Sequence, residues 1–280
     1  MRRRTKRIFK ANNDWQRVEV LKRNREKRHR YRQFFVEGVK SINYALEYNW
    51  PIRWFVYTRE KPLSAWAEGV LANSRAELHL ELSGQLMAAL SEKEEETSEL
   101  IAVVDMVERD LSTIEIKDDL LIAVFDRPSS HGNLGALIRS CEALKVDALI
   151  ITGHAVDLYD PKTIRASMGT FFAVPTFRLP SHRELSPWLE QARRKLPAFQ
   201  VVGSTAKADL LVDAADFTKP TAILIGNETY GLSNNYKALC DTLVRIPMYG
   251  EITSFNVSCA ASIILYEVDR QRRKINIDSI

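Results

Sequence analysis

Cysteine is scarce. The 280 residues hold three, Cys141, Cys240 and Cys259. They are far apart, odd in number and form no CxxC pair, which argues against a disulfide framework and a cysteine zinc site and points to a reducing cytosol. Long apolar runs are missing as well. Leu120–Phe125 is typical of the longest, far short of the ~18 residues that cross a bilayer. No apolar stretch follows the basic N-terminus, so it does not read as a secretory signal, and a cytoplasmic protein is expected. GxGxxG and GxxxxGK[ST] are absent, which removes the dinucleotide fingerprint and the phosphate loop. HExxH and GxSxG are absent too, leaving zinc hydrolysis and a nucleophile elbow without support. His29, His79, His131, His154 and His182 show no paired ligand spacing, and no metal is expected.

What is present begins with an ordinary globular composition, 45% hydrophobic and 27% charged, long enough for about two domains. The net charge of +4 is unevenly spread. Residues 1–32 carry 14 Lys/Arg against Asp14, Glu19 and Glu26, a charge of +11, which leaves −7 for residues 33–280. A basic arm on an acidic body suggests a polyanionic partner. Arginine dominates the arm, and its planar fork suits phosphate. Arg23, Arg25, Lys27, Arg28, Arg30 and Arg32 are the candidate RNA contacts, and Trp15 and Tyr31 could stack on bases. The blander alternative is a solvated leader. A membrane partner is not expected, because the arm lacks an apolar face.

After the arm, short apolar strands alternate with helices of 8–12 residues, the pattern of an α/β unit. The first domain is expected over 33–107 and contains an acidic loop, Ser91–Glu99. The polar stretch 108–119 reads as a linker, and a second α/β domain over 120–280 starts with the apolar run Leu120–Phe125, suited to a central parallel strand.

Polar, glycine-rich turns follow the strands of this second half, at the edge where open α/β sheets bind ligands. The first contains Asn133 and Arg139, the second Gly226 and Glu228, the third Ile246, Ser254, Phe255 and Asn256. A fourth, weaker turn is Gly203-Ser204-Thr205. Each has a purely structural alternative: a helix cap at Asn133, a surface ion pair at Arg139, a turn carboxylate at Glu228. Ser254 is expected to cap the last helix, with Asn256 in its first turn.

Taken together, NxGxxxR at 133–139, GNExxGLS at 226–233 and IPMxGxxxSFNVSxA at 246–260 resemble the three motifs of the SpoU/TrmH branch of the SPOUT methyltransferases. The run from Lys22 through Phe35-Val36-Glu37-Gly38 resembles the ribosomal-protein-like RNA-binding domain that precedes the catalytic domain in many members. Asn49–Arg53, Leu121–Pro128, Gly153–Lys162 and Gly226–Asn234 are similar to an rRNA-modifying member.

The resemblance implies an α/β fold whose C-terminal SPOUT domain is tied in a trefoil knot, a smaller N-terminal α/β domain, a homodimer and S-adenosylmethionine as methyl donor. It further implies 2′-O-ribose methylation of RNA, with 23S rRNA favoured over tRNA and antibiotic resistance as one biological setting. A non-catalytic RNA-binding protein of the same fold is the alternative of another class. Carried over by motif, the cofactor would meet Gly203, Ser204, Thr205, Gly226, Ile246 and Phe255, and the catalytic positions would be Asn133, Arg139, Glu228, Ser254 and Asn256. In this reading Arg139 orients phosphate and stabilises the developing alkoxide. Asn133, Ser254 and Asn256 fix the ribose and Arg139, and Glu228 holds Arg139 or the loop. Phe255 stands where members usually carry Leu, and Lys145 where a glycine commonly closes the first motif's helix.

Overall fold

The basic N-terminal segment is folded rather than free. In the computed structural model, which describes residues 4–92 and 97–278, it forms β1 (Arg4–Ile8), α1 (Asn13–Arg23) and α2 (Arg25–Tyr31). Arg2 and Arg3 of this segment, and Glu94, Glu95 and Glu96 of the acidic loop, lie outside the described residues. Two asparagines set the helices. Asn12 accepts from the Trp15 amide and Asn24 from the Lys27 amide, each supplying a partner for a first-turn N–H. Val18 and Leu21, three residues apart, turn one face of α1 into the core, where both are fully buried.

β2 (Gln33–Glu37), α3 (Val39–Glu47), β3 (Ile52–Tyr57), α4 (Ala65–Asn73), β4 (Leu78–Leu82), α5 (Gly84–Leu90) and β5 (Leu100–Asp105) complete this part. Its five strands are ordered β1-β4-β3-β5-β2. β1, β4 and β3 run parallel, and β5 lies antiparallel to both of its neighbours. Ile8, Leu21, Phe35, Val56, Leu80, Met87 and Val103 belong to one core. Trp15 packs partly buried against that core and donates its indole N–H to the Leu86 carbonyl at 3.2 Å, so it is a packing residue rather than a free stacking platform.

The chain then continues through β6 (Leu121–Asp126), α6 (His131–Ala143), β7 (Ala148–Thr152), α7 (Pro161–Ala166), β8 (Thr176–Leu179), α8 (His182–Lys195), β9 (Gln200–Ser204), β10 (Leu210–Leu211), β11 (Thr221–Ile225), α9 (Asn234–Lys237), β12 (Thr242–Arg245) and α10 (Val257–Asp278). Seven strands form a sheet in the order β10-β12-β9-β11-β6-β7-β8. Every neighbouring pair is parallel. Burial on both faces explains why β6, β7 and β11 read as unbroken apolar runs. Because β9, β11, β6 and β12 share one direction, the loops that leave them open on one edge of the sheet.

The boundaries differ from the linear expectation. The described residues divide into one compact unit of 4–92 and 97–108 together with 157–173, and a second of 109–156 with 174–278. The stretch 108–119, expected to be a linker, carries structure of its own. Leu111–Thr113 form a 3-10 turn, Ile114 is a core residue of the second unit, and the Trp188 indole donates to the Leu111 carbonyl at 3.0 Å. The expected 120–280 domain loses 157–173, whose Phe171 and Phe172 join Phe34 and Trp50 in an aromatic cluster of the first unit.

That same segment changes the reading of Arg28. Its side chain is 1% exposed, with Nε 2.7 Å from Asp157 and Nη2 2.8 Å from Asp160, and Nη1 donates to the carbonyls of Leu21 and Lys22. Arg28 is therefore an internal ion-pair centre and not an RNA contact. Arg28→Ala is expected to leave Asp157 buried without its main partner and to cost about 3–5 kcal/mol, read as a lower urea midpoint. A loss below ~1 kcal/mol would contradict this account.

Lys145 takes φ +53°, the left-handed conformation in which a helix commonly ends. Its amide donates to Glu142 and that of Val146 to Cys141. The lysine closes α6 with the geometry glycine usually supplies.

Candidate active site

Glu228 is the hub of the strand-end loops. It follows Gly226, whose position at the end of β11 has room for hydrogen only: a Cβ there would overlap the backbone of Gly231 and Leu232. Asn227 closes the turn, its Oδ1 accepting from the amides of Thr229 and Tyr230. The Glu228 carboxylate then reaches the loop after β6. It accepts from the Ser129 amide at 2.9 Å, the Ser129 hydroxyl at 2.8 Å and the Ser130 amide at 3.0 Å. Asn133 Nδ2 donates to it at 3.2 Å and Asn227 Nδ2 at 3.3 Å. Burial alone would raise this carboxyl; the bonds from the Ser129 backbone and hydroxyl and from Asn133 outweigh it and hold it below the ordinary glutamate range.

The third loop joins through Asn133. Its Oδ1 accepts from Asn256 Nδ2 at 3.0 Å. Asn256 Oδ1 in turn accepts from the Ser258 amide at 3.0 Å and the Cys259 amide at 3.3 Å, so Asn256, not Ser254, caps α10, which starts at Val257. Asn133 is not a cap either. Ser130 fills that role for α6 by accepting from the Asn133 amide, which frees the Asn133 side chain to bridge Glu228 and Asn256. A Ser140–Ser262 hydroxyl contact of 2.6 Å pins α6 to α10 behind this bridge.

A cavity of about 340 Å³ opens beside the hub. Ser204, Thr205, Gly226, Ile246, Phe255, Glu228 and Ser254 line it. Gly203 does not: it lies in β9, where a Cβ would stand 2.7 Å from both Cys240 Sγ and Leu243 Cδ2, so it serves close packing behind the wall. Asn133 and Asn256 border the cavity through Glu228 rather than lining it. Lys207, Asn227, Lys237 and Met248 line it too, and sequence reasoning missed them together with Ser129. Asn227 and Met248 lay inside the quoted motifs, where a signal existed; the two lysines carried none.

The cavity suits a nucleoside-sized ligand in volume. Its apolar wall of Leu232, Ile246, Met248 and Phe255 can take a flat base, and Lys207 and Lys237 can take a carboxylate. Cys240 and Cys141 offer no reactive thiolate. Burial, with Asp241 beside it, pushes the Cys240 thiol up to about 12, and burial also pushes the Cys141 thiol far up, so neither forms thiolate near neutrality. No cluster of three metal-ligating side chains occurs among the described residues.

Arg139 stands apart. It is exposed on α6 and does not line the cavity. Glu228 does not hold it; the carboxylate is committed to the serine loop and the two asparagines.

An all-parallel sheet with three motif loops welded at its C-terminal edge, preceded by a mixed α/β unit, defines a class. The chain belongs to the SpoU rRNA Methylase family, which matches residues 120–266, while residues 12–102 match the SpoU L30e-like domain. It is 43% identical over 267 residues to the 23S rRNA (uridine(2479)-2′-O)-methyltransferase of Streptomyces viridochromogenes, covering 95% of this chain and 93% of that protein. The SpoU methyltransferase AviRb of the same organism, solved in complex with the cofactor AdoMet, superposes with a TM-score of 0.86 at 42% identity, over 94% of this chain and 100% of that one. An AdoMet-bound rRNA methyltransferase from Sinorhizobium meliloti superposes with a TM-score of 0.85 at 26% identity, over 95% and 98%.

Proposed function

We propose that the protein methylates a ribose 2′-hydroxyl of 23S rRNA with AdoMet as donor, working as a homodimer whose C-terminal domain is knotted. The observation that carries this reading is the Glu228 hub, which joins three loops around a nucleoside-sized cavity. Bound AdoMet supplies a methyl group on a sulfonium, already activated and needing no metal. The chain's own work is to align the acceptor oxygen, worth about 7–11 kcal/mol when complete, and to ease the loss of a proton from a weak acid. Asn133 and Asn256, locked against each other at 3.0 Å, are placed to fix the ribose. Ser254, exposed on the cavity wall, offers a hydroxyl to the same sugar.

Arg139 fits the scheme if a second copy of the chain supplies it. Two apolar side chains of α10, Ile263 and Tyr266, three residues apart, are 37% and 54% exposed, the second with Arg273 over its ring, and Ile252 and Tyr249 of the preceding loop are more exposed still. Such a patch favours self-association. The late strands β11 and β12 insert between earlier ones in the sheet order, which supports the knotted path.

The first unit supplies affinity for phosphate. Lys27 and Arg30 are placed for this, along with Arg23 and Arg32, although these last two also pair with Glu19 and Glu108. Arg25 has a partner within the chain as well. Deleting residues 1–32 is no test, because it would strip β1, Val18 and Leu21 from the core. The triple change Arg23→Glu, Lys27→Glu, Arg30→Glu is expected to weaken rRNA binding at least tenfold and flatten its salt dependence, leaving AdoMet affinity unchanged. An unaltered salt slope would take this face out of the interface.

The function itself is tested by incubating full-length protein with 23S rRNA and AdoMet, then mapping positions that resist alkaline cleavage. A single protected linkage is expected, because a methylated 2′-oxygen cannot attack its phosphate. Methyl incorporation on a base, or none, would overturn the reading.

A further inference from the structure

Arg127, at the C-terminal end of β6, has a backbone that arginine rarely adopts. Its φ is +50°, in the left-handed region. The neighbouring loop makes room for it: Gly153, itself at φ +68°, lies so close that a Cβ would stand 2.6 Å from Arg127 Cγ. The guanidinium is then held from below. Nε and Nη2 each donate to Asp126 at 2.9 Å, and Asp126 is 1% exposed. This two-point grip fixes the plane of the fork and leaves Nη1 without a partner among the described residues.

Residues held in sparsely populated backbone conformations cluster at functional sites. Neutralising Asp126 needs only a nearby cation; it does not require a fixed fork or a left-handed backbone. Other cations share this edge. Arg178 reaches the loop after β7, with Nη2 on the Gly153 carbonyl and Nη1 on that of Val156. His154 in that loop and Arg183 at the start of α8 are exposed. The edge is continuous with the candidate active site, since Asn227 Nδ2 donates to the Arg127 carbonyl at 2.7 Å and Asn227 lines the cavity.

We propose that Arg127, with Arg178 beside it, forms a phosphate-backbone site that seats the substrate RNA next to the nucleotide being methylated. This rests on the reading of the protein as an RNA methyltransferase. A fixed guanidinium recognises phosphate with two parallel hydrogen bonds or one plus charge, so the site positions RNA without reading its sequence. It is a binding and positioning site, separate from the groups that border the reacting atoms.

The test uses the full-length protein and a 23S rRNA fragment that the wild type binds. Arg127→Gly suits the left-handed backbone but leaves Asp126 unpaired, so the double change Asp126→Asn with Arg127→Gly is measured alongside it. Both are expected to raise the RNA Kd about tenfold and to lower the salt slope by about one, with AdoMet affinity unchanged. The double variant should also keep the wild-type melting temperature. Arg127→Lys should fall between, keeping the charge and losing the fork. An RNA Kd and salt slope equal to wild type in the double variant would overturn the proposal. A wild type that binds the fragment without methylating it would instead remove the functional reading, and the RNA-affinity comparison would still decide the role of Arg127.

Discussion

Arg139→Ala is expected to lower kcat by about 10²–10³-fold while RNA binding and AdoMet binding survive, the scale seen when one donor to a developing oxyanion is removed. The structure leaves Arg139 exposed on α6, outside the cavity and outside the Glu228 hub. It therefore holds up no part of the fold, and its loss should not move the melting temperature. A guanidinium keeps its proton, so the side chain is a poor base and a good electrostatic partner for phosphate and alkoxide. Arg139→Lys keeps the charge without the fork and should recover only part of the rate. Single-turnover kinetics with rRNA separate the chemical step from binding; a kcat within a few-fold of wild type would remove Arg139 from the mechanism. Mixing subunits tests where it acts. Ala260 lines the cavity, and Ala260→Phe should block cofactor entry in the subunit that bears it. If Arg139 serves the other subunit's cavity, hybrids of the two inactive variants hold one intact site and regain activity. If it serves its own, hybrids stay inactive.

Much of the second unit was legible in the sequence for a single physical reason. A parallel strand buried on both faces has no polar face to interrupt it, so Leu121–Asp126 and Thr221–Ile225 announce themselves, and the loops that follow them are found by counting. The motifs supplied much of the rest of the cavity wall, though not its two lysines. The basic segment was illegible as structure because its helices show only a few apolar residues among many charges: Val18 and Leu21 in α1 are the core contacts, and surface arginine hides the period. Arg28 looked like its neighbours, and nothing local shows that Asp157 and Asp160, about 130 residues away, turn it inward. The cap of α10 was misassigned because Ser254 and Asn256 are both good caps two residues apart, and only the placement of Val257 in helical geometry decides between them. Glu228 was singled out for the right position with two partners left open, Arg139 or the loop, and the structure takes the loop. A carboxylate at a strand end is visible in sequence; the serine loop 99 residues earlier that turns its amides toward it is not.

Glu228→Ala should be the most damaging change at the hub. It removes the acceptor for two backbone amides, one hydroxyl and two side-chain amides at once, and with them most of the link between the loops after β6 and β11, leaving the Asn227 bond to the Arg127 carbonyl. The site is half-open, so water partly replaces the lost bonds, and the stability cost is expected at about 1–3 kcal/mol. Activity should fall further, by ~10²-fold or more, because a displacement of about 1 Å at Asn133 spoils acceptor alignment. Glu228→Gln distinguishes a latch from a mere space-filler. Its NH2 group would face the Ser129 and Ser130 amides donor against donor, so glutamine should resemble alanine despite matching shape. A glutamine variant with near-normal kcat would sink the latch. The pH dependence follows with a definite sign. The folded carboxyl lies below its ordinary value, so the latch contributes its full stability above the unfolded glutamate pKa of about 4.3 and loses it as pH falls through the lower folded value. Melting temperature measured downward from neutral pH should therefore drop more for the wild type than for Glu228→Ala across that acidic window, and the two profiles should converge at its lower end. Parallel profiles would show that the serine loop is held by something other than this carboxylate.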